Sequence, residues 1–149
     1  MMMLSGIVGF LSGYRFNNSK RKYHMQLTEK TRSQFILLNQ WMKLKQSGRN
    51  ITSYLIEKKY QKIAVYGMSY LGENILAELK NSEIEVLYGI DERAMEIVSE
   101  IGIYTLQDEL PCVDAVVVSE TFYFKDVEPK IKLKLSCPIV SLEEVVYES

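Results

Sequence analysis

The strongest constraint on this chain is Gly67-Met68-Ser69-Tyr70-Leu71-Gly72 and what flanks it. Before it runs Lys62-Ile63-Ala64-Val65-Tyr66, short and apolar as a buried strand should be. After it, Glu73 to Lys80 continues with helical spacing. A second strand-like run, Glu85 to Ile90, leads into Asp91, 24 residues beyond Gly67. Strand, glycine turn, helix, strand and acid make the first unit of a dinucleotide-binding fold. In such a unit Gly67 permits the tight turn, and Gly72 lets the helix lie close to the sheet. The middle glycine of the usual G-x-G-x-x-G is Ser69 here, where backbone normally approaches a pyrophosphate. Its hydroxyl can donate to a phosphate, or its bulk can crowd a dinucleotide.

The rest of the chain after residue 50 alternates strand and helix. Asp91 to Ser99 reads as a short helix and Ile103-Tyr104 as a short strand. Val113-Asp114-Ala115-Val116-Val117-Val118 is β-branched and nearly all apolar, so it predicts a central strand buried on both faces. Phe124 to Leu133 is a helical return with Pro129 inside, which breaks or kinks it. Pro138-Ile139-Val140 is a last strand, and a terminal helix begins at Ser141. Parallel strands joined by right-handed crossovers predict an α/β, Rossmann-like, doubly wound five-stranded sheet of order 3-2-1-4-5.

Charge divides the chain unevenly. Residues 1–50 hold nine Lys/Arg and one acid, Glu29, a net +8. Residues 51–149 hold nine Lys/Arg and 18 Asp/Glu, a net −9. This marks a basic arm ahead of an acidic domain, and an acidic domain argues against nucleic acid as its ligand. Three regions result: an apolar segment over 1–18, a basic helical arm over 19–49 and the Rossmann-like domain over 50–149. Residues 1–14 carry no charge but fall short of the ~17–20 apolar residues a spanning helix needs. The segment reads as a membrane anchor, with membrane contact through 1–22, a free tail or a docked helix; if it enters a bilayer, Lys20-Arg21-Lys22 would hold the following chain on the cytoplasmic side. Gly9 and Gly13 give a weak G-x-x-x-G signal. In the arm, Phe35, Leu38, Trp41, Met42 and Lys45 form one stripe. It should pack on the following domain; the alternative is a homodimer through 35–45. Gly48 suits a helix C-cap and Asn50 the start of the next helix, Ile51 to Lys59, with Tyr54 and Leu55 inward.

Candidate ligand contacts are Gly67, Met68, Ser69, Tyr70, Leu71 and Gly72, whose helix start offers free N–H groups to an anion. Asp91 is placed for ribose hydroxyls, or alternatively as the cap of the next helix. The opposite crevice wall is the end of the Val-rich strand, Ser119, Glu120 and Thr121, with Ser119 and Thr121 able to contact a ligand or cap a helix. Several tyrosines, Tyr66, Tyr70, Tyr88, Tyr104 and Tyr123, fall near strand ends. The single His, His24, sits in the polar arm, and Glu92 and Arg93 read as surface residues. Cys112 and Cys137 lack metal-ligand spacing and read as buried free thiols, consistent with a reducing cytosol. No metal site is expected, and no acid–base relay accompanies the glycine turn. Only Leu142 to Ser149 follow the last strand, where a hydride-transfer enzyme needs a substrate domain.

At Lys62 to Asp91 the sequence resembles the small Rossmann-like modules found with, or fused to, bacterial surface-polysaccharide enzymes. The likeness rests on G-M-x-x-L-G and Tyr88-Gly89-Ile90-Asp91. It extends to Val113–Val118 and to Cys137-Pro138-Ile139-Val140-Ser141-Leu142-Glu143-Glu144, covering residues 50–149. It implies a non-catalytic accessory protein, cytoplasmic or tethered to the inner face of the membrane. Its partner would be a nucleotide, a nucleotide-sugar or a glycan-biosynthesis enzyme. Contact would run through Gly67, Ser69, Gly72 and Asp91, with NAD(P) or a nucleotide-sugar as the group bound. Two alternatives stand: an NAD(P)-dependent oxidoreductase completing its site by oligomerising, and a ligand-free scaffold whose crevice Tyr70 and Ser69 close.

Overall fold

The computed structural model describes the backbone of residues 5–149 and the side chains of residues 18–149. The expected apolar anchor over 1–18 therefore lies, but for Asn18, outside the residues whose side chains are described. Among the described residues no helix is long and apolar enough to cross a membrane. The chain divides into two compact units, Met1–Ile36 and Leu37–Ser149. The first holds most of one long helix, α1 (Ser5–Gln46). Its described residues are almost all exposed, as expected of a helix polar on every side.

The second unit is the α/β domain. After the last turns of α1 come α2 (Thr52–Glu57), β1 (Lys62–Tyr66), α3 (Tyr70–Leu79), β2 (Glu85–Ile90), β3 (Gly102–Tyr104), β4 (Ala115–Val118), α4 (Phe124–Lys132), β5 (Ile139–Ser141) and α5 (Leu142–Glu148). All five strands are parallel, in the order β3-β2-β1-β4-β5. This is the expected Rossmann-like sheet. Side-chain alternation sorts the strands between two cores. Ile63, Val65, Ala115 and Val117 face α2, α3, α5 and the end of α1. Ala64, Tyr66, Val116 and Val118 face α4. β4 is buried at all four positions, as its Val run requires.

The arm meets the domain differently from the expected stripe. The buried residues of α1 are Leu37, Trp41 and Leu44, whereas Phe35 is 71% exposed and Met42 56%. Only Trp41 belongs to both sets. Polar geometry fixes the register. The Glu78 carboxylate on α3 accepts from Trp41 Nε1 at 3.0 Å, Lys45 Nζ at 2.8 Å and the Ile51 N–H at 3.0 Å. One carboxylate, almost wholly buried, thus ties the end of α1 and the start of α2 to α3.

The link between them follows its sequence signals. Gly48, at φ +79°, ends α1 in a Schellman turn, with Arg49 N–H donating to Leu44 O and Gly48 N–H to Lys45 O. Asn50 Oδ1 accepts from the Thr52 N–H ahead of α2. Lys59 repeats the same turn after α2, at φ +62°, without being glycine. Its neighbour Tyr60 donates to Leu55 O at 2.9 Å.

Three expectations need correction. The helix over 91–99 is only a 3-10 turn, Ala94–Glu96. It is too short to bury a face, and Met95 and Val98 are fully exposed. The second concerns the break expected at Pro129, which does not occur: α4 runs on to Lys132. Proline removes one donor from the i→i−4 ladder, and packing of Val127 and Ile131 carries the helix past it. The third concerns the thiols: Cys112 is exposed, in the unpaired segment before β4, and Cys137 is half-buried.

Two measurements follow. Lys59→Gly removes a left-handed non-glycine residue and should stabilise the domain by about 0.5–1 kcal/mol in urea unfolding. Asp114 Oδ2 accepts from the Lys62 and Gln61 N–H groups, and these bonds hold its carboxyl below the ordinary Asp range. A lowered folded-state pKa makes this contribution fully present above the ordinary Asp value, and it is lost as pH falls through the lowered one. Asp114→Asn should therefore flatten that part of the acid limb in urea midpoints measured against pH.

Candidate functional site

The candidate site lies at the carboxyl edge of the sheet, where the chain leaves β1 toward α3 and β4 toward α4. This is the topological switch point, where open α/β sheets bind their ligands. Its geometry begins with Gly67, whose φ is +89°. The Gly67 N–H donates to Ile90 O at 2.8 Å, closing the turn against the end of β2. The Gly67 carbonyl accepts from Ser119 Oγ at 2.6 Å. A Cβ on Gly67 would stand 2.6 Å from that Oγ and 2.7 Å from Glu120 Cγ. A Cβ on Gly72 would overlap the Gly67 carbonyl oxygen. Both glycines are thus required by close approach, as the spacing predicted.

The six residues of the turn point in different directions. Met68 and Leu71 are buried in the core, and Met68 Sδ covers the bare face of Gly89. Tyr70 is 84% exposed, so it does not close the crevice. Ser69 sits at the N-cap of α3 without capping it. Its hydroxyl instead donates to Glu120 Oε1 at 3.3 Å.

Asp91 does both tasks that its position allows locally. Its Oδ2 accepts from the Met68 N–H at 2.9 Å, and its Oδ1 from the Arg93 N–H at 2.9 Å. One oxygen pins the glycine turn and the other starts the 3-10 turn. Each oxygen retains a further lone pair, since an ionised carboxylate offers about four acceptor sites. Arg93 Nε lies 3.6 Å from Oδ1.

On the opposite wall Ser119 is fully buried, and its hydroxyl is committed to Gly67. Thr121 donates its N–H to Ser119 O and opens the 3-10 turn Thr121–Tyr123. The group that reaches over the glycine turn is Glu120. The signal that marks it is its place, two residues past a fully buried strand at the switch point. Tyr66, at the end of β1, is 8% exposed, and burial pushes its phenol up. The charges of Glu92, Asp91 and Glu120 push it the same way. Acidic charge thus surrounds the end of β1 closely enough to act on Tyr66.

A Tyr-x-x-x-Lys spacing occurs elsewhere, at Tyr54 of α2 and Lys58 just after it. Tyr54 is buried, and its hydroxyl donates to Glu144 Oε1 at 2.6 Å. Burial and that carboxylate hold the phenol well above its usual range. Lys58 Nζ lies over the Tyr54 ring, 5.2 Å from its centre. This pair is engaged in joining α2 to α5. Among the described residues no group of three His, Cys, Asp or Glu is arranged to hold a metal ion. Comparison with known proteins finds no matching family model, no similar curated protein and no similar solved structure.

Gly48 and Gly67, both at positive φ, give a direct test of the close approach at the turn. At Gly48 an added Cβ meets nothing within 4 Å. Gly48→Ala should cost only the conformational penalty, about 1 kcal/mol. Gly67→Ala adds a collision with Ser119 and Glu120 and should cost about 2–4 kcal/mol. Urea unfolding of both variants measures the difference.

Proposed function

We propose that this chain is a non-catalytic Rossmann-like accessory protein whose crevice over Gly67 binds a nucleotide or nucleotide-sugar during bacterial surface-glycan assembly. The observation that carries the reading is the turn itself. A glycine at φ +89° is braced by a fully buried serine at the switch point, directly ahead of α3. A helix start of this kind offers N–H groups and a positive dipole end to phosphate oxygens. Asp91 keeps lone pairs for ribose hydroxyls. The glycan setting rests on the likeness of residues 50–149 to modules that accompany polysaccharide enzymes.

Glu120 sets the terms of binding. Its carboxylate reaches the side of the turn where phosphate would sit, where it accepts from Ser69 Oγ at 3.3 Å. A phosphate must swing it aside. At about 4 Å two like charges cost roughly 1–4 kcal/mol in surroundings between water and protein surface. A second reading has its own support in the same geometry. Asp91 and Glu120 already engage Met68 N–H and Ser69 Oγ, which suits a scaffold that binds no small ligand and works through a protein partner.

A thermal-shift panel on the full chain separates the two. The panel holds NAD(H), NADP(H), nucleotides and nucleotide-sugars. A ligand at 100 times its dissociation constant should raise the midpoint by about 5–10 °C. Asp91→Ala should abolish the shift, and Glu120→Gln should tighten binding about tenfold. A flat panel on folded wild type and on Glu120→Gln would overturn the nucleotide reading in favour of the scaffold.

A further inference from the structure

The exposed part of α1 is strongly basic. Residues 18–36 hold Lys20, Arg21, Lys22, Lys30 and Arg32 against one acid, Glu29, a net +4. Lys20, Arg21 and Lys22 are consecutive, helical and exposed. Successive residues of a helix turn by about 100°, so these three cations surround the axis instead of lining one face. Apolar side chains follow them into solvent: Tyr23 is 63% exposed, Met25 61% and Leu27 50%. Ahead of them, residues 1–14 carry no charge and include Ile7, Val8, Phe10, Leu11 and Tyr14.

We propose that α1 attaches this chain to an anionic lipid surface. Lys20, Arg21 and Lys22 form a collar at the headgroup phosphates, and the uncharged run ahead of them supplies the apolar contact. Stable attachment to a bilayer takes two signals, and an apolar segment beside a basic cluster provides both. A fluid headgroup layer meets cations that point in several directions, whereas a groove on a protein partner calls for one face. Nucleic acid rewards the cations but not the uncharged run. Tyr23, one residue past the collar, belongs to the class of side chains that favour the membrane–water interface.

The charge of the α/β domain suits the same reading. Residues 51–149 carry a net −9, which anionic headgroups repel. After the collar, residues 23–36 rise by about 20 Å as continuous helix. That length exceeds the Debye length of about 8 Å at physiological salt, so the repulsion is screened over it. A helix polar on every side and buried against nothing fits a spacer. The attachment is independent of what the crevice over Gly67 binds.

The test is co-sedimentation of the full chain with vesicles of phosphatidylcholine, alone or mixed with phosphatidylglycerol. The chain should sediment with the mixed vesicles, far less with phosphatidylcholine alone, and be released as salt is raised to about 1 M. Each Lys or Arg near an anionic surface strengthens partitioning about fivefold. The triple variant Lys20→Gln, Arg21→Gln, Lys22→Gln should therefore bind about 100-fold more weakly, with an unchanged thermal midpoint because these side chains are exposed. Phe10→Gln with Leu11→Gln should weaken binding to both kinds of vesicle. No sedimentation with the mixed vesicles, equal binding to both kinds, or full binding by the triple variant would overturn the proposal. A salt-sensitive dimer formed without lipid, by a chain that ignores vesicles, would assign the arm to a second copy instead.

Discussion

The carboxyl edge of the sheet depends on the backbone of one residue, Gly67. Its N–H reaches β2 through Ile90, its carbonyl takes the hydroxyl that follows β4, and the same oxygen lies against Gly72 of α3. Three strands and one helix thus share a single peptide neighbourhood. No side chain fits there, because the space a Cβ needs is filled by Ser119 and Glu120. The positive φ is a second, independent reason for glycine. Ser119 is the only polar residue among the fully buried described residues, and its partner is this turn. Burying a hydroxyl costs little once it is hydrogen-bonded, and a good deal otherwise.

That economy of contacts shapes the electrostatics of the crevice. A helix start favours anions, and the chain has supplied two of its own. Asp91 takes the Met68 N–H, and Glu120 takes the Ser69 hydroxyl. The first is held by two short backbone bonds and is part of the fold. The second accepts from a side-chain hydroxyl at 3.3 Å. The two carboxylates therefore differ in their donors: one is held by backbone N–H groups and the other engages a side chain. The net −9 of residues 51–149 reinforces selection against ligands that carry phosphate without compensating contacts.

How far the fold could be read from residues alone varies with the strength of local signals. β1, β2 and β4 were legible because buried parallel strands are continuous apolar runs. The cap at Gly48 and the turn at Gly67 were legible because only glycine takes those backbone angles readily. The inward face of α1 was not. Phe35, Leu38 and Met42 have the right spacing, yet Leu37, Trp41 and Leu44 are the residues that pack. Both sets are apolar and helical in period, so hydrophobic pattern could not choose between them. The Glu78 carboxylate chose, by holding Trp41 and Lys45 at once. Residues 91–99 misled for a similar reason: helical spacing without a surface to bury does not make a helix.

The site divides along the same line. Sequence by itself determined the sheet order, the position of the turn, the need for glycine at 67 and 72, and the acid at the end of β2. Each of these follows from local backbone geometry or from the burial demanded by a run of apolar residues. Only the tertiary structure decided what the polar side chains do. Ser119 became a brace rather than a ligand contact, Asp91 a tie between two turns, and Glu120 the group over the cradle. A polar group's role depends on which donors and charges lie within about 3 Å of it, and that neighbourhood is set by strand order and register, which juxtapose residues far apart in the chain.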